Sequence, residues 1–230
     1  MAGELMDTAD VSGALARFAV NTRWQDLPDK VRHEARRALL NFFATALAGC
    51  GDPALTAASA VFTRLRASAE CTVIGQTERT DALHAASLNA MSANVFDFDD
   101  THIPTIIHPT APIAPAVLAL AQQQRISGQA LLTAFVVGVE VECRLGNAVS
   151  PGHYARGWHI TSTCGVFGAA AATGRLLGLD ASRLRWALGS ASAQCSGLVE
   201  TLGSMAKSIG VGNAASNGLL SALLAAQGFE

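Results

Sequence analysis

Thr161-Ser162-Thr163-Cys164-Gly165-Val166-Phe167-Gly168-Ala169-Ala170-Ala171-Ala172-Thr173-Gly174-Arg175-Leu176-Leu177 decides the fold. The run is long enough for a helix, and until Arg175 it offers no charged side chain on any face. A helix that is apolar or small all round is stable only when other helices enclose it. Gly128 to Val141 reads the same way until it meets Glu140, Glu142 and Arg144. Two such segments predict an all-α bundle with a buried central helix. The 44 alanines let helix axes approach closely, and the 6% aromatic content fits a core with little room for rings.

Around these segments the periodicity is amphipathic. Between Pro28 and Gly49, Val31, Ala35, Leu39, Phe42, Phe43, Ala46 and Leu47 share one face, while Arg32, Glu34, Arg36 and Arg37 share another. Pro28 suits a first turn and Gly49 an end. Comparable stretches run over about 10–23, 53–68, 80–96, 111–124, 128–147, 161–177, 180–195 and 211–227, separated by Gly, Pro or Asn-Gly signals. The expectation is about nine helices, with at most one short strand in the β-branched run near 70–75. No repeat or linker divides the chain, so residues 1–230 read as a single helical domain.

Half of the 230 residues are hydrophobic and only 15% are charged, a balance that excludes a disordered chain. A net charge of −2 leaves no cationic excess to offset phosphate, so no nucleic-acid partner is expected. Cys50, Cys71, Cys143, Cys164 and Cys195 form no metal-binding or redox spacing, and are expected as reduced core thiols. The first residues, Met1 to Asp7, lack a basic segment followed by an apolar one, which with the cysteines predicts a cytoplasmic protein. Mean hydropathy is positive, +0.30. No stretch supplies the roughly 20 uninterrupted apolar residues of a spanning helix, so no membrane partner is expected.

Polar chemistry concentrates in four places. Asp97-Phe98-Asp99-Asp100-Thr101-His102, with His108-Pro109 a short loop later, is the densest ionisable cluster. It reads either as a capped, solvated helix end or as an acid/base site whose groups tune one another. A Mg²⁺-diphosphate site would use carboxylate oxygens of this kind, but no second acidic motif follows. His159 precedes the apolar segment at a helix N-terminus, where free N–H groups favour an anion; the alternative is a Thr161 or Ser162 cap with His159 packed on Trp158. Lys207, the only lysine after Lys30, stands before Gly210 and Gly212; it reads as a carboxylate holder at a helix entrance or as a snorkelling side chain. Pro151 to Arg156 reads as a surface turn, and His33 and His84 as packed or solvated residues.

Taken together, Ala85-Ala86-Ser87-Leu88-Asn89 running into Asp97-Phe98-Asp99-Asp100-Thr101, then His108-Pro109, Gly157-Trp158-His159-x-Thr161-Ser162-Thr163 and Met205-Ala206-Lys207 with Gly212-Asn213-Ala214-Ala215 resemble the MmgE/PrpD family. That family includes 2-methylcitrate dehydratase, cis-aconitate decarboxylase and an iminodisuccinate epimerase. The resemblance covers about residue 10 to 230. It implies a cofactor-independent, metal-free lyase or isomerase of small di- or tricarboxylates, the nearest label being a 2-methylcitrate dehydratase-like carbon–oxygen lyase.

By the same resemblance His108, Asp97 and Thr101 are the catalytic residues, with His108 the candidate base, and His159 and Lys207 bind substrate. It further implies a homodimer built on the helical domain, and a second, α/β domain that this chain lacks. In place of the basic residue and histidine that follow the lysine in many members, Ser208, Ile209 and Gly210 stand here. The competing expectation is a shortened, inactive homologue that serves as a helical partner or assembly subunit.

Overall fold

A computed structural model describes residues 10–65 and 67–230, so the expectation for Met1 to Asp7 lies outside the described residues. Among the described residues ten α-helices run in the order α1 (Val11–Asn21), α2 (Asp29–Gly49), α3 (Pro53–Arg64), α4 (Ala82–Asn94), α5 (Thr110–Gln123), α6 (Gly128–Val149), α7 (Gly152–Ala155), α8 (Ile160–Leu176), α9 (Ala181–Ser192) and α10 (Met205–Ala226). Nine are the expected helices. The tenth, α7, is a single turn within the Pro151–Arg156 loop. Starts are set by short polar side chains that take up free backbone N–H groups: Asp52 for α3, Asp81 for α4, Ser127 for α6, Asp180 for α9 and Ser204 for α10.

The expected strand is Cys71–Thr72, here β1, and it gains a two-residue antiparallel partner, β2 (Arg79–Thr80), in a stretch that periodicity gives to the start of a helix. Asp81 caps α4 through the Leu83 and His84 amides and so delays that helix, leaving Arg79 and Thr80 extended.

α8 is the enclosed helix that its composition demands. Every residue from Ile160 to Gly174 except Phe167 is buried, and α10, α6, α5 and α9 pack around it. Gly128 to Val141 behaves differently from expectation, because α6 buries Thr133, Ala134, Phe135, Val137, Gly138 and Val141 but leaves Gln129 and Ala130 in water. The second enclosed helix is α4, in which Ala85 through Asn94 are all buried between α10, α5, α2 and α3.

Small residues permit these approaches. A Cβ on Gly218 of α10 would stand 2.6 Å from the Val166 carbonyl oxygen and 2.9 Å from the Ala170 nitrogen of α8. α10 is long and apolar enough to cross a membrane, the one such helix among the described residues. Here it lies against α8 and α4 inside the bundle.

α10 begins at Met205, well before the expected start near residue 211, because Ser204 supplies the cap. Gly210 and Gly212 are therefore not a loop-like helix entrance. They lie within α10, where Ser162 and Ser87 occupy the space that their side chains would fill. Lys207 consequently projects from the first turn of a helix rather than from a linker.

Candidate active site

The loop between α4 and α5 carries most of the site, and its shape follows from hydrogen bonds at both ends. The Asp100 amide donates to Asn41 Oδ1 of α2 at 3.1 Å, and Thr110 Oγ1, at the start of α5, donates to Asp100 Oδ2 at 2.6 Å. Between these anchors the chain reverses on itself, with the His102 amide donating to the Ile107 carbonyl at 2.7 Å. Two residues other than glycine take left-handed backbone here, Asp97 at φ 60° and Ile106 at φ 56°. Asp tolerates that conformation better than a β-branched residue does. The result is to seat Ile107 in the core, fully buried, and to turn His108 back toward Asp97 and Asp99.

α8 then fixes the loop from below. Thr161, fully buried near its N-terminus, accepts the His108 backbone N–H at Oγ1, 3.1 Å away. The same helix start presents His159, whose Nδ1 pairs with Ser162 Oγ at 2.7 Å and whose amide donates to the Gly197 carbonyl at 3.1 Å. His153, and not His159, stacks on Trp158.

Four of the five expected site residues meet directly. Lys207 Nζ lies 2.5 Å from Asp97 Oδ1, and His108 Nε2 lies 3.2 Å from that same oxygen. His108 Nδ1 faces Asp99 Oδ1 at 3.2 Å, with Thr101 Oγ1 at 3.4 Å. Thr101 also donates to the Asp99 carbonyl. His159 makes no hydrogen bond to the other four, yet it stands near enough for the charges of Lys207, His108 and Asp97 to act on it.

Two residues that sequence reasoning did not assign belong to the same assembly. The Asp99 side chain is 2% exposed and pairs with His108. Asn94, at the end of α4, donates through Nδ2 to both Asp99 oxygens, at 3.1 and 2.9 Å, and accepts from Lys207 Nζ at its backbone oxygen, at 3.2 Å. The acidic cluster pointed toward Asp99. An Asn at the end of an alanine-rich helix gives no spacing signal at all.

The electrostatics follow from this geometry. Burial pushes the Asp97 carboxyl up, but the hydrogen bond and charge of Lys207, followed by the charges of His108 and His159, outweigh it and hold the group below its ordinary value. Burial pushes His108 down, yet the hydrogen bond and charge of Asp99, with the Asp97 charge, outweigh that and raise it, biasing the ring toward imidazolium. His159 is pushed down to about 4 by burial, Lys207 and His108, against the pull of Asp97, and so is neutral at physiological pH. Burial lifts Asp100 to about 6, against its Thr110 hydrogen bond and with the Asp99 charge.

Asp97, Asp99 and His108 each bring a donor atom within 4.8 Å of the others, a spacing suited to a cation. Lys207 already places a positive charge on the Asp97 oxygen. The cluster is therefore charge-compensated from within the chain. Beside it a cavity of about 370 Å³ lies between the N-termini of α3 and α10, lined by Asp97, Lys207, Ser204, Met205, Asp52 and Pro53 among others. Both helix starts turn their partial positive charge toward it. A second cavity, of about 450 Å³, opens between α2 and α6 and meets this region only at Asp100 and Thr110. None of the five expected residues lines that second cavity, whereas Asp97 and Lys207 line the first.

The model of the MmgE/PrpD N-terminal domain matches residues 13–230. A cis-aconitate decarboxylase of Aspergillus terreus is 33% identical over 227 residues, covering 96% of this chain and 46% of that protein. The Homo sapiens cis-aconitate decarboxylase is 31% identical over 210 residues, 89% of this chain and 44% of the relative. The Mus musculus enzyme of that name is 29% identical over 229 residues. The chain spans about half the length of the curated relatives it matches.

Proposed function

The chain belongs to the MmgE/PrpD family, and from that premise we propose that it forms the substrate-holding and proton-transferring part of a lyase for small di- or tricarboxylates, with cis-aconitate decarboxylation the foremost reaction. The observation that carries this reading is the Asp97 oxygen shared by Lys207 and His108. Two cationic groups converging on one carboxylate oxygen are what a substrate carboxylate would also meet there.

In the proposed reaction Lys207 takes one substrate carboxylate by a charge-assisted hydrogen bond. Neutral His159 keeps Nδ1 on Ser162 and offers Nε2–H to another. Breaking the bond to the departing carboxyl group releases CO₂ and leaves its electron pair on the substrate carbon. His108, biased toward imidazolium by its two carboxylates, delivers the proton that this carbon needs and acts as a general acid. The sequence suggests a base in that position; the carboxylates on both ring nitrogens favour the acid instead. Thr101, within reach of His108 Nδ1, orients the ring. A dehydratase or epimerase would use the same groups, with neutral His108 taking the proton from carbon and, as imidazolium, then protonating the departing hydroxyl or returning the proton to carbon.

The activity named for the relatives supports cis-aconitate over 2-methylcitrate as the substrate to test first. The chain is titrated with cis-aconitate, 2-methylcitrate, citrate, iminodisuccinate and butyrate while its histidine resonances are followed, and CO₂ release from cis-aconitate is assayed with the complete gene product. Binding of polycarboxylates but not butyrate, weakened in Lys207→Met, with turnover lost in His108→Gln, is the expected result. Indifference of binding to Lys207→Met, or full turnover in His108→Gln, would overturn the reading.

A further inference from the structure

One buried amide stands behind both cationic groups of the site. Asn94 is fully buried at the end of α4, an alanine-rich helix that also carries His84 and Asn89. Its Nδ2 grips Asp99 at both oxygens, at 3.1 and 2.9 Å, and Asp99 faces His108 Nδ1 at 3.2 Å. Its backbone oxygen holds Lys207 Nζ at 3.2 Å, and Lys207 meets Asp97, whose oxygen returns to His108 Nε2. Asn94, Asp99, His108, Asp97 and Lys207 thus close a ring.

Only one orientation of the amide fits. Turned over, Oδ1 would set its lone pairs against the Asp99 carboxylate. In the orientation found, Oδ1 is buried without a hydrogen-bond partner. A buried, half-satisfied amide is costly where an alanine would cost nothing. Its place on α4 calls for a donor aimed at Asp99.

We propose that Asn94 is a positioning residue: it locks Asp99 onto His108 Nδ1, so that Nδ1 stays protonated and His108 exchanges its proton with substrate through Nε2 alone. This inference rests on the reading of His108 as the proton carrier. Asp99 cannot rotate away while both its oxygens are held, and its acceptor fixes the ring tautomer as carboxylate partners of histidine generally do. Nε2 is then the nitrogen left on the Asp97 side, next to Lys207 and the cavity. The charged and titratable groups that act on His108 are Asp97, Asp99 and Asp100 from its own loop, Lys207 from α10 and His159 at the start of α8. Asn94 reaches one of them by its side chain and another by its main chain, which a substitution leaves in place.

The test is a pH titration of imidazole ¹⁵N shifts in the 230-residue chain, with the His108 signals identified by their loss in His108→Gln. Wild type should show a neutral form protonated at Nδ1. Asn94→Ala should lower the His108 midpoint by about half a pH unit or more and mix the tautomers, a shift of the size that hydrogen bonding to one protonation state produces. Asp99→Asn should lower it further, and adding Asn94→Ala to Asp99→Asn should change nothing more, since the amide acts through Asp99. An unchanged midpoint and tautomer in Asn94→Ala, or an undiminished effect of Asn94→Ala in the Asp99→Asn background, overturns the proposal. If circular dichroism shows Asn94→Ala unfolded, Asn94→Ser carries the same test. The readout needs no turnover: a chain that shows the shift but binds no polycarboxylate keeps this role for Asn94 and refutes only the proposed function. Binding without the shift does the reverse.

Discussion

Asp97 and Lys207, 110 residues apart in the chain, meet at 2.5 Å through a single carboxylate oxygen. The lysine side chain is almost wholly buried, whereas the aspartate side chain is 56% exposed. The pair is therefore lopsided: the cation depends on the anion more than the anion depends on it.

Asp97→Asn should leave Lys207 buried against an amide and a carbonyl. Solvent screening of the exposed aspartate limits the stability loss at neutral pH to about 1 kcal/mol. The pH dependence has a defined sign. The folded-state value of Asp97 lies below its ordinary 3.8, so its contribution is present above about that pH and disappears as pH falls through the lower folded value. Denaturant melts at pH 6 and pH 3 should show a smaller difference between wild type and variant at the acid end.

His108 should act in the opposite direction. Its folded value is raised above 6.5, so the stability it contributes is complete below that pH and is lost as pH rises through the folded value. His108→Gln should flatten this alkaline decline in thermal melts. A decline of the same size in the variant would remove the imidazolium from the account.

Glu142 is a liability within the bundle. It is fully buried between α6, α5 and α8, neither carboxyl oxygen has a partner, and burial aided by Asp100 raises it well above its ordinary 4.5. The folded state retains the proton after the unfolded chain has lost it, so the penalty grows as pH rises above about 4.5 toward the folded value. Glu142→Leu should stabilise the chain by about 1–3 kcal/mol, with a gain that widens from pH 5 to pH 8. Chemical denaturation at the two pH values measures it.

Gly218→Ala tests the close packing of α10 on α8. The added methyl group meets the Val166 carbonyl oxygen at 2.6 Å and the Ala170 nitrogen at 2.9 Å, both main-chain atoms that cannot turn aside. A loss of about 1–3 kcal/mol is expected from such overpacking, read as a lower Tm with helical content retained.

The helical class, the enclosed α8, most helix limits and the ionisable cluster from Asp97 to His108 were legible in residue types and their period. So was His159 at a helix start, because Trp158-His159 precedes a run that can only be a buried helix. α4 was harder to read as an enclosed helix, since Ser87, Asn89, Ser92 and Asn94 look like solvated positions until their partners are known. Asn89 holds the β1 region, accepting the Ile74 amide at 2.8 Å, and Asn94 holds Asp99. The start of α10 was misplaced because Gly210 and Gly212 signal a break locally, while in the bundle they make room for Ser162 and Ser87.

By itself the sequence determined that this chain folds as a helical bundle and that its ionisable side chains gather in a few short stretches. Helix formation and amphipathic burial depend on neighbours three and four residues away, and those are written along the chain. Only the tertiary structure decided that Lys207 neutralises Asp97, that Asp99 faces His108 and that Asn94 joins the two. Those links span α4, the following loop and α10, and the charge state of each group depends on burial and partners that no local spacing encodes.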